Sequence, residues 1–409
     1  MCPVPVLRAT RKLEYVELLG LCFLQGAALG IWFVPLSSVL DAHGLGAIKS
    51  YAYAASAIAA LVSPLFFGAM ADRHASPVKV LRGLAFASSI TMALATMAIG
   101  WRLPPWLVLA LIQLFALCAA PTWSISSTVV FSRVADSQRE FGPIRAMATV
   151  GWMAGCWLVS LLHADATTLA GYSGAVVWLM MAGYTFLLPE APVPRLTQTL
   201  HWRERLGLDA LTLLKNRDHR VVFITTALFC IPIAAFYPFA PSHLRDLGLQ
   251  HTSAWMSLGQ VSEIVAMFSL GALLLNWRLK WIFVLGLAFG VLRFAFSAAD
   301  SKVWLLAGVS LHGVSFTFVF ITAQIYLDQR VDKAWRARAQ ALMSLMNGGV
   351  GNLFGFLGAG WWFAACTSGA ETRWTPFWGV LAAAVLVVMI YFLSVYQGRV
   401  EPIRRTTSV

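Results

Sequence analysis

Charge is scarce in this chain. Asp, Glu, Lys and Arg together make up 12% of its 409 residues. A soluble domain carries about 25%. With 59% hydrophobic residues and a mean hydropathy of +0.72, water-soluble folds are excluded and a polytopic membrane protein remains. Acidic groups are scarcest, 18 against 30 Lys and Arg. The six cysteines (Cys2, Cys22, Cys118, Cys156, Cys230 and Cys366) lie scattered, mostly inside apolar runs. No spacing among them fits a disulfide framework or a metal site, so they read as small core hydrophobes. No nucleophile–base pair or metal-ligand cluster stands out, so an enzyme is not expected and no cofactor is required.

Long apolar runs are what the chain has instead. A membrane-spanning helix needs about 20 apolar residues. Twelve candidate spans fit, at roughly 15–37, 48–70, 79–100, 105–130, 145–162, 168–188, 221–241, 254–275, 280–298, 303–326, 338–365 and 375–397. The basic N-terminus before an apolar run resembles a signal peptide. The run from Val16 to about Leu36 is long enough to span and no small-residue cleavage site follows, so it reads as a retained first helix.

The basic residues report orientation. Of the 30 Lys and Arg, 23 fall at the termini or in loops after even-numbered spans, and five fall in loops after odd-numbered spans. The positive-inside rule then puts both termini in the cytoplasm. The net charge of +12 is explained by this placement, not by a nucleic-acid partner. The expected organisation is an N-terminal bundle over 1–188, a cytoplasmic linker over 189–220, a C-terminal bundle over 221–397 and a tail over 398–409. A weak internal echo supports duplication. Gly68-Ala69 precedes Gly83-Leu-Ala-Phe86 by fifteen residues, and Gly271-Ala272 precedes Gly286-Leu-Ala-Phe289 by the same distance.

The loop between spans two and three reads Gly68-Ala-Met-Ala-Asp72-Arg73, with Lys79 six residues on. It resembles the G-x-x-x-D-R signature of the major facilitator superfamily. Gly68 would permit close helix approach. Asp72 and Arg73 would serve gating, through ion pairs made in one conformation only. His74-Ala75 stands where that family usually has a glycine. The implied fold is all-α, with twelve transmembrane helices in two pseudo-symmetric six-helix bundles.

Several polar groups lie at membrane depth, where a charge costs at least ~2.5–3.5 kcal/mol and rarely faces lipid. Glu263 sits in the middle of the apolar run Trp255 to Leu275, with Gln260 three residues earlier on the same helix face. Arg145, Thr149 and Trp152 share a face of span five. Gln25 and Trp32 share one of span one, and Arg293 lies in span nine. A guanidinium, a hydroxyl and an indole on one face, with an amide and a carboxylate on another, suit a flat, polar, uncharged ligand stacked on an aromatic ring. The alternative is a structural ion pair of Glu263 with Arg293 or Arg145. Pro232, Pro238 and Pro241 break span seven, as in helices that line a cavity or simply bend. His312 in span ten reads as a hydrogen-bonded core histidine in preference to a proton relay.

The resemblance narrows at these residues. Phe141-Gly-Pro-Ile-Arg145-Ala-Met-Ala-Thr149-Val-Gly151-Trp152 is similar to the P-P-I-R-x-x-G-T-x-G-F segment of the bacterial nucleoside:proton symporters. Ser257-Leu-Gly-Gln260-Val-Ser-Glu263 resembles their S-x-S-Q-x-S-E, and Gly207 to Asn216, Leu292 to Ala295 and Arg336 to Gln340 match further pieces in the same order. The resemblance implies a nucleoside transporter that binds substrate through Arg145, Thr149, Trp152, Gln260 and Glu263, with Glu263 also a proton-coupling candidate. The chain departs from the family in span seven, where Ala234 and Tyr237 stand at a glutamine and an asparagine. It departs again in span ten, where Phe316-Thr317 replaces a Phe-Asp pair, and in span four, where Ser127 replaces an asparagine. Tyr237, Phe316, Thr317 and Gln25 complete the candidate binding set, and Arg293 is a structural or coupling charge.

The expectation is therefore a secondary active transporter that imports nucleosides, with protons, by alternating access. It would act as a monomer in the lipid bilayer of the inner membrane. A facilitative uniporter, a major facilitator for a sugar or small organic anion, and a transporter-like sensor are the alternatives. The loss of the span-ten aspartate leaves proton coupling open.

Overall fold

The computed structural model describes residues 4–71, 76–134, 137–189, 208–369 and 371–398. Asp72 and Arg73 lie outside these residues, as do most of the 189–220 stretch and nearly all of the tail. Gly68 lies within the helix Lys49–Ala71.

The described residues are helical almost throughout. Among the described residues, nine helical stretches are long and apolar enough to cross a membrane by length and composition. The helix Lys49–Ala71, the shorter apolar helix Leu169–Tyr184 and the interrupted stretch from Lys333 to Cys366 fill the remaining expected positions. All twelve expected spans thus have a helical counterpart, and span numbers are kept for them below. A two-stranded antiparallel ribbon, Thr367–Ser368 with Glu371–Thr372, precedes span twelve (Trp374–Val395).

Local chemistry sets the helix ends. Ser76 caps span three by accepting from the Lys79 amide at 3.3 Å, with Pro77 in the first turn where its missing N–H costs nothing. Asn216 caps span seven by accepting from the amides of Asp218 and His219. The sequence reading starts span five at 145. The helix in fact begins at Ser137 and carries Pro143 inside it. Arg145 therefore projects from within a helix, two turns past its start.

Among the described residues five spans are interrupted, span eight at Ser257 between Thr252–Met256 and Leu258–Asn276. Span one breaks after Phe33 and resumes as Leu36–Ala42. Tyr53 of span two closes that gap: its hydroxyl donates to the Phe33 carbonyl at 2.7 Å and accepts from the Ser37 amide at 3.2 Å. Span seven divides into Arg217–Ala234 and Phe236–Asp246 at Ala235. Pro238 supplies no N–H to carbonyl 234 in the following turn, which loosens the backbone there. Spans ten and eleven each carry a wide π turn, Thr317–Ile321 and Leu345–Gly351. Such turns recur at functional sites.

The chain forms two compact units. The described residues up to Pro189 form one, together with the short segment Gln250–Ser257, and those from Leu208 to Leu249 and from Leu258 onward form the other. In the first unit, spans one and five meet at backbone distance. A Cβ at Gly26 would run into Ala148, one at Gly30 into Trp152, and one at Gly151 into Phe23. In the second, Gly313 of span ten lies against the Glu263 backbone. Small residues at such crossings let membrane helices pack by van der Waals contact.

Candidate functional site

The first unit holds Arg145, Thr149 and Trp152 along span five. Gly26, Gly30 and Gly151 fix the register of this helix on span one. The Arg145 guanidinium lies over the Trp123 ring of span four, 3.8 Å from its centroid. A cation held this way is worth up to about 2 kcal/mol when desolvated. It also has a fixed plane, which suits recognition of a flat ligand carbonyl. Trp123 is absent from the sequence-based set. Its contact is tertiary, and a tryptophan inside an apolar span carries no local signal of its role.

Beside this pair is a cavity of about 260 Å³, lined by Trp32, Phe33, Phe115, Trp123, Trp152 and Ser56 among others. It is slightly smaller than the roughly 300–1,000 Å³ usual for drug-sized ligands. Trp152 meets Phe33 edge-on at 6.0 Å, and Trp32 meets Phe115 in the same manner. Gln25 is 2% exposed. Its amide nitrogen donates to Thr122 Oγ1 at 2.9 Å, and its carbonyl accepts from Ser126 Oγ at 3.0 Å. Both ends of that amide are thus held by span four, and Gln25 ties the helices beneath Arg145. Ser127 lines the same small crevice as Gln25, Trp123 and Arg145.

In the second unit Tyr237, Gln260, Glu263, Arg293 and Phe316 come from four different spans. Tyr237 stands in the first turn after the span-seven break and is half-buried. Gln260 donates through Nε2 to its hydroxyl at 3.1 Å, while the Gln260 carbonyl oxygen is buried and has no partner among the described residues. Glu263, one turn on, is half-buried. Phe316 is half-buried with its ring 4.9 Å from Phe320.

Two residues stand differently from their neighbours. Thr317 is wholly buried and its hydroxyl has no partner among the described residues, so no surface of it is open to a ligand in this structure. Arg293 is 1% exposed and donates through Nη1 to His312 Nδ1. Its guanidinium also lies over Phe236 at 4.4 Å and Phe294 at 4.8 Å. Histidine thus takes the place in which the sequence reading set Glu263 as the alternative partner. Among the described residues, no cluster of three or more His, Cys, Asp or Glu side chains forms a metal site.

Comparison with known proteins places the chain in a family and a fold. Residues 14–400 match the family described as Nucleoside H+ symporter. YegT of Escherichia coli (strain K12) is 31% identical, over 96% of this chain and 94% of its own length. Nucleoside permease NupG of the same strain is 26% identical, over 93% of this chain and 96% of its own. Two crystal structures of nucleoside transporter NupG, one of a mutant form, superpose with TM-scores of 0.87 and 0.83 at 25% identity. Each match covers 94% of this chain, and 100% and 99% of NupG respectively. A D-xylose–proton symporter at 13% identity and a TM-score of 0.71 shares the fold, over 95% of this chain and 100% of its own.

Proposed function

This chain belongs to the nucleoside H+ symporter family, and we propose that it carries nucleosides into the cell across the cytoplasmic membrane with protons as the driving ion. The observation that supports this reading is the chemistry that each unit, taken by itself, offers to a flat polar ligand. Arg145 is held flat on Trp123 beside Thr149, Trp152 and an aromatic-lined cavity. Tyr237, Gln260 and Glu263 offer a phenol, an amide and a carboxylate. The first set suits a base: its ring stacks on an indole and its carbonyl accepts from the guanidinium. The second, taken by itself, offers acceptors to ligand hydroxyls at the Glu263 carboxylate and at the Gln260 oxygen, which has no partner among the described residues.

Alternating access follows from the major facilitator fold. Gly68, Asp72 and Arg73 belong to the proposed inner gate. The Lys and Arg distribution supports cytoplasmic termini, and nothing in the mechanism requires more than one copy in the bilayer.

The test is counterflow of labelled uridine in proteoliposomes, with unlabelled nucleosides, sugars and carboxylates as competitors. Inhibition by nucleosides alone is expected. Inhibition by sugars or carboxylates instead, or binding without counterflow, refutes the assignment. Glu263→Gln keeps the shape and removes the charge. A hydrogen bond to a charged group contributes about 1.5–3 kcal/mol, so KM is expected to rise at least roughly tenfold.

A further inference from the structure

We propose that His312, held neutral against Arg293, is the seat of the coupling proton. The proposal rests on the symport reading above and adds a residue to it.

Arginine is always a donor. The bond from Arg293 Nη1 therefore fixes His312 Nδ1 as an acceptor and the imidazole as neutral, its proton on Nε2. Both side chains are almost fully buried, at 1% and 4% exposure. The contacts of the guanidinium are His312, Phe236 and Phe294, with no carboxylate among them. A buried cation whose one hydrogen-bonding side chain among the described residues is a neutral imidazole is a poor structural tie, because the charge is left uncompensated. It suits a switch better.

Phe236 carries both partners. The His312 ring stacks on the Phe236 ring at 4.2 Å and 16°, and Arg293 lies over the same phenyl ring. An aromatic face attracts a cation whichever of the two bears the charge. Three titratable or charged groups meet His312 or the turn that holds it: Arg293 from span nine, Tyr237 edge-on at 5.8 Å from span seven, and Glu263, whose backbone packs on Gly313, from span eight.

The proton step is simple. A proton arriving from the outside solution adds to the Nδ1 lone pair. The imidazolium then bears N–H groups at both nitrogens, and Arg293 loses its acceptor. Two adjacent cations cannot stay in contact in a dry site. Arg293 must turn to a new acceptor, and the carboxylate that span eight carries is that of Glu263, whose backbone packs on Gly313. Release of the proton to the inside solution restores the Arg293–His312 bond. Tyr237, which meets His312 edge-on, and Gln260, which donates to the Tyr237 hydroxyl, carry the change to the bound nucleoside.

The test uses His312→Asn, whose amide oxygen can accept from Arg293 but cannot take the proton. One proton per nucleoside gives about tenfold accumulation for each unit of pH gradient. Wild type is expected to reach that level. His312→Asn is expected to fall to an accumulation ratio of one while still catalysing uridine counterflow. Accumulation equal to wild type in His312→Asn overturns the proposal. If counterflow is lost as well, the double variant His312→Asn with Thr317→Asp decides: regained accumulation supports the proposal and its continued absence refutes it. Counterflow by the wild type tests the nucleoside reading alone, so the two ideas fail separately.

Discussion

Tyr237→Phe removes one oxygen atom and leaves the ring on Phe236, 5.1 Å away. That oxygen accepts the hydrogen bond from Gln260 Nε2. The Gln260 carbonyl is already unpartnered, and the side chain is 4% exposed. The variant therefore strands a buried amide at both ends. A buried donor left unsatisfied costs about 1–3 kcal/mol. In the free protein part of this cost is avoided if the amide turns. In the substrate complex the amide must face the ligand, and the cost falls on binding. The expected outcome is a rise in KM for uridine of at least about fivefold, with maximal velocity within twofold and an apparent melting temperature close to wild type. Radiotracer uptake over a range of uridine concentrations reads the first two, and thermal denaturation of the detergent-purified protein reads the third. A KM within twofold of wild type would show that Tyr237 does not hold Gln260 for the substrate.

Three further outcomes follow from the first unit. Trp123→Leu keeps an apolar side chain but removes the face beneath Arg145. KM is expected to rise by a factor consistent with ~0.5–2 kcal/mol, and purine and pyrimidine nucleosides tested in the same uptake assay should both be affected. Gly151→Val would drive a side chain into the Phe23 backbone. It is expected to separate spans one and five and abolish folded yield in size-exclusion chromatography, whereas Gly183→Val, where a Cβ meets nothing within 4 Å, should be tolerated. Asp165 accepts from the Ser253 amide at 2.6 Å and from Ser160 Oγ at 3.1 Å, and so holds the start of the helix Thr252–Met256 within the first unit. Asp165→Ala is expected to lower the apparent melting temperature, at a cost of about 1.5–3 kcal/mol for the lost charged acceptor. An unchanged melting curve would contradict that role.

Much of the fold was legible because the membrane forces a simple pattern. Backbone groups must be satisfied within each segment, so every span is a helix of apolar residues and appears as a run. The charge asymmetry of the loops could be read for the same reason. The places where the sequence reading falls short share a different physics. Phe141-Gly-Pro143 looks like the end of a loop, yet the helix continues through it, because Pro143 lies in the second turn, where few backbone bonds are lost. The π turns at Thr317 and Leu345 depend on how neighbouring helices pack and leave no local mark. The attachment of Gln250–Ser257 to the first unit depends on Asp165, almost 90 residues away in sequence. For the candidate site, Arg145, Gln260 and Glu263 could be put forward because charge and amide are conspicuous in an apolar run. Trp123 and the histidine partner of Arg293 were not, since aromatic and imidazole groups have ordinary structural uses. Thr317 shows the converse. The resemblance singles out its position, and the structure buries it beyond the reach of a ligand.

The most direct measurement is uptake of labelled uridine into proteoliposomes holding the wild-type chain, with and without an inward proton gradient. Accumulation above equilibrium that collapses with the gradient is the predicted result. Uptake that only equilibrates, or no uptake of any nucleoside, would contradict proton-driven nucleoside import.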